Sequence, residues 1–118
     1  VTDTVIASAI EVHRELGPGL LESIYEAAMG IELKLRGLVV ERQVEVPMLY
    51  KGQPLGASYR VDLLVERELV VELKAVDRLA PVHTAQLLTY LRLLKVPTGL
   101  LINFNNAQLR QGIKRVAL

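Results

Sequence analysis

Asp62, Glu72 and Lys74 are the residues in this chain whose types and spacing suit chemistry best. They lie in the stretch RVDLLVERELVVELK, from Arg60 to Lys74. Its odd positions outside the centre are Val61, Leu63, Val65, Leu69, Val71, Leu73 and then Ala75, an apolar row. The even positions include Arg60, Asp62, Glu66, Glu68, Glu72 and Lys74. Alternation with period two predicts two strands, each with one buried face. The polar break at Glu66-Arg67-Glu68 predicts a hairpin turn, although no glycine is present to relieve it. With the turn centred on Arg67, Asp62 stands opposite Glu72 and Arg60 opposite Lys74, about 4.5–5.5 Å apart at Cβ. A register shifted by one would separate the two acids and mix the apolar rows.

Two carboxylates held side by side repel, and a shared proton, a nearby cation or a metal must compensate. Carboxylates on neighbouring strands are a natural seat for Mg²⁺, which keeps several waters and takes few protein oxygens. A lysine beside such an ion can orient or activate a water. The alternative is an exposed ladder in which Arg60 and Lys74 neutralise Asp62 and Glu72. These residues alone leave both readings open.

The elements that would position this pair read clearly along the chain. Residues 2–16 predict a helix stopped by Gly17-Pro18-Gly19, with Val5, Ile6, Ala9, Ile10, Val12 and Leu16 as its apolar stripe. His13 near that stripe reads as a packing or capping residue and not as a ligand. Residues 20–36 predict a second helix ending at Gly37, its inward face marked by Leu21, Ile24, Ala28, Ile31 and Leu35. Glu22, Tyr25, Glu26 and Met29 fall on an adjacent face. Glu22 is placed either to favour the helix dipole or to reach over the hairpin as a third acid. Residues 38–50 predict a strand, at a sheet edge because of Pro47. With 55–66 and 69–76 it makes a three-strand antiparallel meander. Residues 81–95 predict a third helix with Pro81 in its first turn, Leu87, Leu88, Leu91 and Leu94 inward, and Gln86 and Tyr90 sharing another face. The apolar run 98–104 suits a strand buried on both faces in a parallel part of the sheet, and 112–118 suits a last strand.

The 118 residues make one domain, 1–118, and 51% hydrophobic composition argues against disorder. With no cysteine, disulfides, thiolate metal sites and a thiol nucleophile are excluded. No apolar run approaches the roughly 20 residues of a membrane span, so a cytoplasmic protein without membrane contact is expected. The net charge of +1 neither supports nor excludes nucleic acid. The apolar first helix and the edge strands suggest a homodimer.

Three motifs carry a resemblance. Asp62 followed by Glu72-Leu73-Lys74 matches the D…(D/E)xK pattern of the PD-(D/E)XK nuclease superfamily, with Val61 where many members have proline. Gly19-Leu20-Leu21-Glu22-Ser23-Ile24-Tyr25 matches the signature of the small bacterial GxxExxY proteins, and Gln86-Leu87-Leu88-Thr89-Tyr90 the QxxxY of some nuclease branches. The chain resembles the GxxExxY family from about Ile10 to Val116. The resemblance implies an α/β, restriction-endonuclease-like core: two N-terminal helices, the meander, a helix, and one or two further strands in a mixed sheet. It also implies hydrolysis of phosphodiester bonds, in DNA ahead of RNA, with Glu22, Asp62, Glu72 and the Leu73 carbonyl converging on Mg²⁺ or Mn²⁺. Lys74 would assist the water, and Gln86 and Tyr90 would touch the substrate backbone. Arg60 follows from the register as a phosphate contact, and Tyr25 would orient an acid. A catalytically silent module binding nucleic acid or protein on the same fold is the competing expectation.

Overall fold

Two helices open the chain, α1 (Thr2–Leu16) and α2 (Glu22–Leu35). They are followed by β1 (Val40–Tyr50), β2 (Gln53–Val65), β3 (Leu69–Lys74), α3 (Pro81–Leu94) and β4 (Thr98–Asn103). A short 3-10 turn over Leu109–Gly112 leads into β5 (Ile113–Ala117). The computed structural model describes residues 1–118. The five strands form one sheet in the order β1-β2-β3-β4-β5. Only β3 and β4 run parallel, joined by a crossover through α3. The fold is thus α/β with a mixed sheet, as the pattern predicts, and β1 is the edge strand that Pro47 implies.

The sheet is buried on both faces. On one side, Leu63, Val65, Leu69, Val71, Leu73, Leu100 and Ile102 pack with α1 and α2. On the other, Leu64, Val70 and Leu101 pack with Leu87, Tyr90 and Leu91 of α3. The expectation of one apolar and one chemical face therefore holds only toward the end of the hairpin. Even positions Leu64 and Val70 are as buried as their odd neighbours. At Gly99 the backbone of β4 comes so close to α3 that an added Cβ would lie 2.8 Å from Leu87 Cδ1.

α2 turns a different face inward from the one its 3–4 spacing predicts. Tyr25, Glu26, Met29, Gly30 and Leu33 are buried, whereas Leu21 is 73% exposed and Leu35 77%, with Ile24 and Ile31 also exposed. Both stripes are apolar, but the inward one carries the larger aromatic and thioether surface. Tyr25 stacks on Phe104 with ring centroids 4.4 Å apart, a contact the smaller aliphatic stripe cannot make. α1 behaves as predicted in burying Val5, Ala9 and Val12. His13 does more than pack: its Nε2 donates to the Asn106 carbonyl at 2.8 Å, tying α1 to the segment after β4.

The β2–β3 turn is tight and strained. Val65 O accepts from Glu68 N–H at 2.9 Å, and Glu66 and Arg67 both sit at φ 53°. Left-handed backbone disfavours residues with a Cβ. Glu66 is held there by both its backbone N–H, donating to Val39 O, and its carboxylate, accepting from Val39 N–H.

Candidate active site

The β2–β3 ladder pairs Leu63 with Val71, Leu64 with Val70 and Val65 with Leu69. The register is the predicted one, centred on Arg67, and it ends at Leu63. Beyond it the strands fork. The Asp62 carboxylate takes over, its Oδ2 accepting from Leu73 N–H at 2.8 Å. A side chain thus replaces the ladder bond that an unpaired strand N–H would otherwise lack. Val61, of the same parity as Leu63, falls into the opposite core, so alternation breaks at Asp62.

The fork brings Asp62 and Glu72 together and separates Arg60 from Lys74. Arg60 pairs with Glu45 across β1 and is exposed, a correction to its expected place beside Lys74. The cause is the divergence of β2 from β3. Glu72 is only 6% exposed, and its Oε1 is buried without a hydrogen-bond partner. Burial, and then the adjacent Asp62 charge, push the Glu72 carboxyl up to about 9, with Lys74 pulling the other way. An exposed ladder neutralised by Arg60 and Lys74 is therefore not what the fold builds. Lys74 is half-buried and makes no ion pair within 4 Å.

Glu22 points to the same end of β3 but is held differently. Its Oε2 accepts from Ala75 N–H at 3.0 Å. No group of three or more His, Cys, Asp or Glu side chains is placed to hold a metal ion, so the expected convergence of Glu22 with Asp62 and Glu72 is not formed. Tyr25 likewise orients no acid. Its hydroxyl donates to Gly17 O at 2.6 Å and accepts from Leu20 N–H at 3.1 Å, tying down the loop before α2.

α3 roofs the pair from the other side. Burial pushes the Tyr90 phenol up, and the charges of Glu72, Tyr59 and Asp62 push the same way. The Tyr59 ring stands 6.1 Å from it, tilted by 41°. Gln86 is half-buried one turn earlier. His83 opens the helix, its Nδ1 accepting from Ala80 N–H at 3.0 Å.

Three polar residues at the site carry no motif. Glu26 is buried, Gln43 bridges it to Asp62, and Asn103 is 1% exposed. Asn103 brackets Val76, accepting from its N–H at 3.1 Å and donating to its carbonyl at 2.8 Å. With Phe104 N–H on the Lys74 carbonyl at 2.9 Å, the backbone around Lys74 is pinned on three sides. For Glu26 a signal existed: it stands four residues after Glu22, within the stripe of Tyr25, Met29 and Leu33.

Two apposed carboxylates, one with an orphaned buried oxygen, fit a divalent cation that takes few protein oxygens. A model of the PD-(D/E)XK nuclease superfamily matches residues 1–116. The chain belongs to the PD-(D/E)XK nuclease superfamily. Its fold is shared with a solved structure described as the crystal structure of SSO0001, with a TM-score of 0.60 at 22% identity. The match covers 80% of this chain and 48% of that one, so this chain spans about half its length. Among curated proteins, none matches. Nucleases of this superfamily typically use divalent metals on nucleic-acid substrates. No helix of the chain is long and apolar enough to cross a membrane.

Proposed function

We propose that this protein is a divalent-metal-dependent nuclease of the GxxExxY type, acting on DNA, with its centre at the β2–β3 fork. The observation that carries this reading is the acid pair itself. Asp62 and Glu72 meet at the end of a ladder, Glu72 Oε1 has no partner, and an unpaired Lys74 stands beside them.

Asp62 and Glu72 would hold Mg²⁺ or Mn²⁺, with the Leu73 carbonyl as the further oxygen that the family pattern implies. A bound divalent ion supplies a more acidic water and charge neutralisation at the phosphate. Lys74, with no carboxylate to pair with, is free to orient the attacking water and to offset charge gathering on the phosphoryl oxygens. Glu22 serves by fixing the exit of β3 through Ala75, and Asn103 fixes the next residue, so the Lys74 side chain starts from a rigid backbone. Gln86 and Tyr90 line the roof and contact the substrate backbone. Arg60, out on the exposed part of β2, contacts phosphate further along the strand. Homodimerisation is assigned to the outward stripe of α2, since the apolar side of α1 is buried within the chain. A monomeric mass at micromolar concentration would end that assignment.

The test is cleavage of labelled DNA and RNA panels with Mg²⁺ or Mn²⁺ by wild type and Lys74→Ala. Metal-dependent cleavage of DNA, lost in the variant whose fold is intact, is expected. Full cleavage by both Lys74→Ala and Glu72→Ala would refute the assignment. A thermal shift with Mn²⁺ that Asp62→Ala abolishes is the matching binding result. A protein with neither cleavage nor shift would be a silent binding module.

A further inference from the structure

Glu26 and Gln43 have no part in the chemistry above, yet they form the most connected polar group in the molecule. Glu26 lies in the inward stripe of α2 and is 8% exposed. Arg42 Nε and Nη2 both donate to its Oε2, at 3.1 and 2.9 Å. Arg42 packs along α2 beside Gly30, one turn on from Glu26, where an added Cβ would lie 3.4 Å from Arg42 Cδ, an ordinary contact. Gln43 Nε2 donates to Glu26 Oε1. The same Nε2 donates to Asp62 Oδ1 at 3.3 Å. Two carboxylates around one carboxamide settle its orientation, because an oxygen in that place would confront two acceptors.

The backbone is distorted to achieve this. The β1–β2 ladder pairs Arg42 with Leu63 and Val44 with Val61, skipping Gln43 and Asp62 between them. Gln43 sits at φ 54°. A residue with a Cβ keeps such a conformation only where its surroundings over-determine it. Here the fixed points are the two carboxylates that its side chain spans.

The geometry points to Gln43 as a positioning residue: braced by Glu26 and Arg42, it holds the Asp62 carboxylate onto the Leu73 amide, beside Glu72. Its value to the reaction rests on the nuclease reading, but the orientation itself is a property of the metal-free chain.

The Leu73 amide reports that orientation directly, since Asp62 is the group it donates to. Amide exchange would be followed by NMR in metal-free wild type, Gln43→Gly and Gln43→Ala. In both variants the Leu73 amide should exchange roughly tenfold faster relative to the amides of β4. Gln43→Gly should melt above Gln43→Ala, because only alanine keeps a Cβ in the left-handed region, while the Leu73 effect is the same in both. Unchanged exchange at Leu73, or a loss of protection shared by β4 and following the melting temperature, would overturn the proposal. Mn²⁺ titration of the same proteins should show affinity weakened by about 10- to 100-fold in both variants. If wild type has no Asp62-dependent Mn²⁺ binding, the nuclease reading fails, and the exchange at Leu73 still decides the role of Gln43.

Discussion

From Gln53 to Arg60, β2 is exposed and pairs only with β1; from Val61 to Val65 it is largely buried, and its last three residues pair with β3 as well. The candidate site lies where one condition gives way to the other. Inside the fork, Leu63, Leu64 and Val65 are paired with strands on both sides and buried. Outside it, the residues of β2 up to Arg60 face water and pair only with β1. At Asp62 the sheet has just lost a strand pair, which frees a backbone N–H for a carboxylate. The interior is still close enough to bury Glu72. A pair of acids can be both desolvated and reachable only at such a boundary.

The contrast between the two halves can be broken most severely from the inside. Leu63→Ala, at a fully buried position, should lower stability by about 2–5 kcal/mol. Leu55→Ala, on the exposed half, should stay within about 0.5 kcal/mol of wild type. Urea denaturation measures both, and similar losses would mean that the outer hairpin is packed against something. At the boundary itself, Glu72 is raised from 4.5 to about 9. In that window the folded chain holds a proton that the unfolded chain has released, so metal-free stability falls as pH rises, by at most about 1.4 kcal/mol per unit. Glu72→Gln should remove this slope and be the more stable protein near neutral pH with chelator present. A slope unchanged by the substitution would place the proton elsewhere. Another small effect belongs at the tip of the β1–β2 hairpin, where Lys51 sits at φ 49°. Lys51→Gly should raise stability by no more than about 1 kcal/mol, and amide exchange in β3 should not register it.

The acid pair was legible because its partners obey one arithmetic: an alternating apolar row and a polar break leave a single register, and the ladder keeps it. Strand order, the parallel β4 and the edge position of β1 follow from equally local signals, a crossover helix and Pro47. The inward face of α2 was not legible, because Leu21 to Leu35 repeat more regularly than Tyr25, Met29 and Leu33. Regularity says nothing of which stripe meets Phe104. Arg60 was misplaced because no residue type announces where a ladder stops. Gln43 left no trace for a related reason: its importance lies in a left-handed backbone within a strand, and glutamine is not a residue that advertises one. Glu26 stood in plain view as an acid in an apolar stripe.

Gly99 gives the cleft a dimension that none of its lining residues controls. Leu87, which rests on it, stands between Gln86 and Tyr90 in the sequence of α3, so the seat of that helix on β4 bears on where those two residues lie. A single methyl at position 99 would come within 2.8–3.0 Å of Leu87 Cδ1, Cδ2 and Cγ, so that this side chain or the helix carrying it must shift. Under the proposed function, the aperture open to a substrate would be gauged in part from β4, the strand on which that side chain rests.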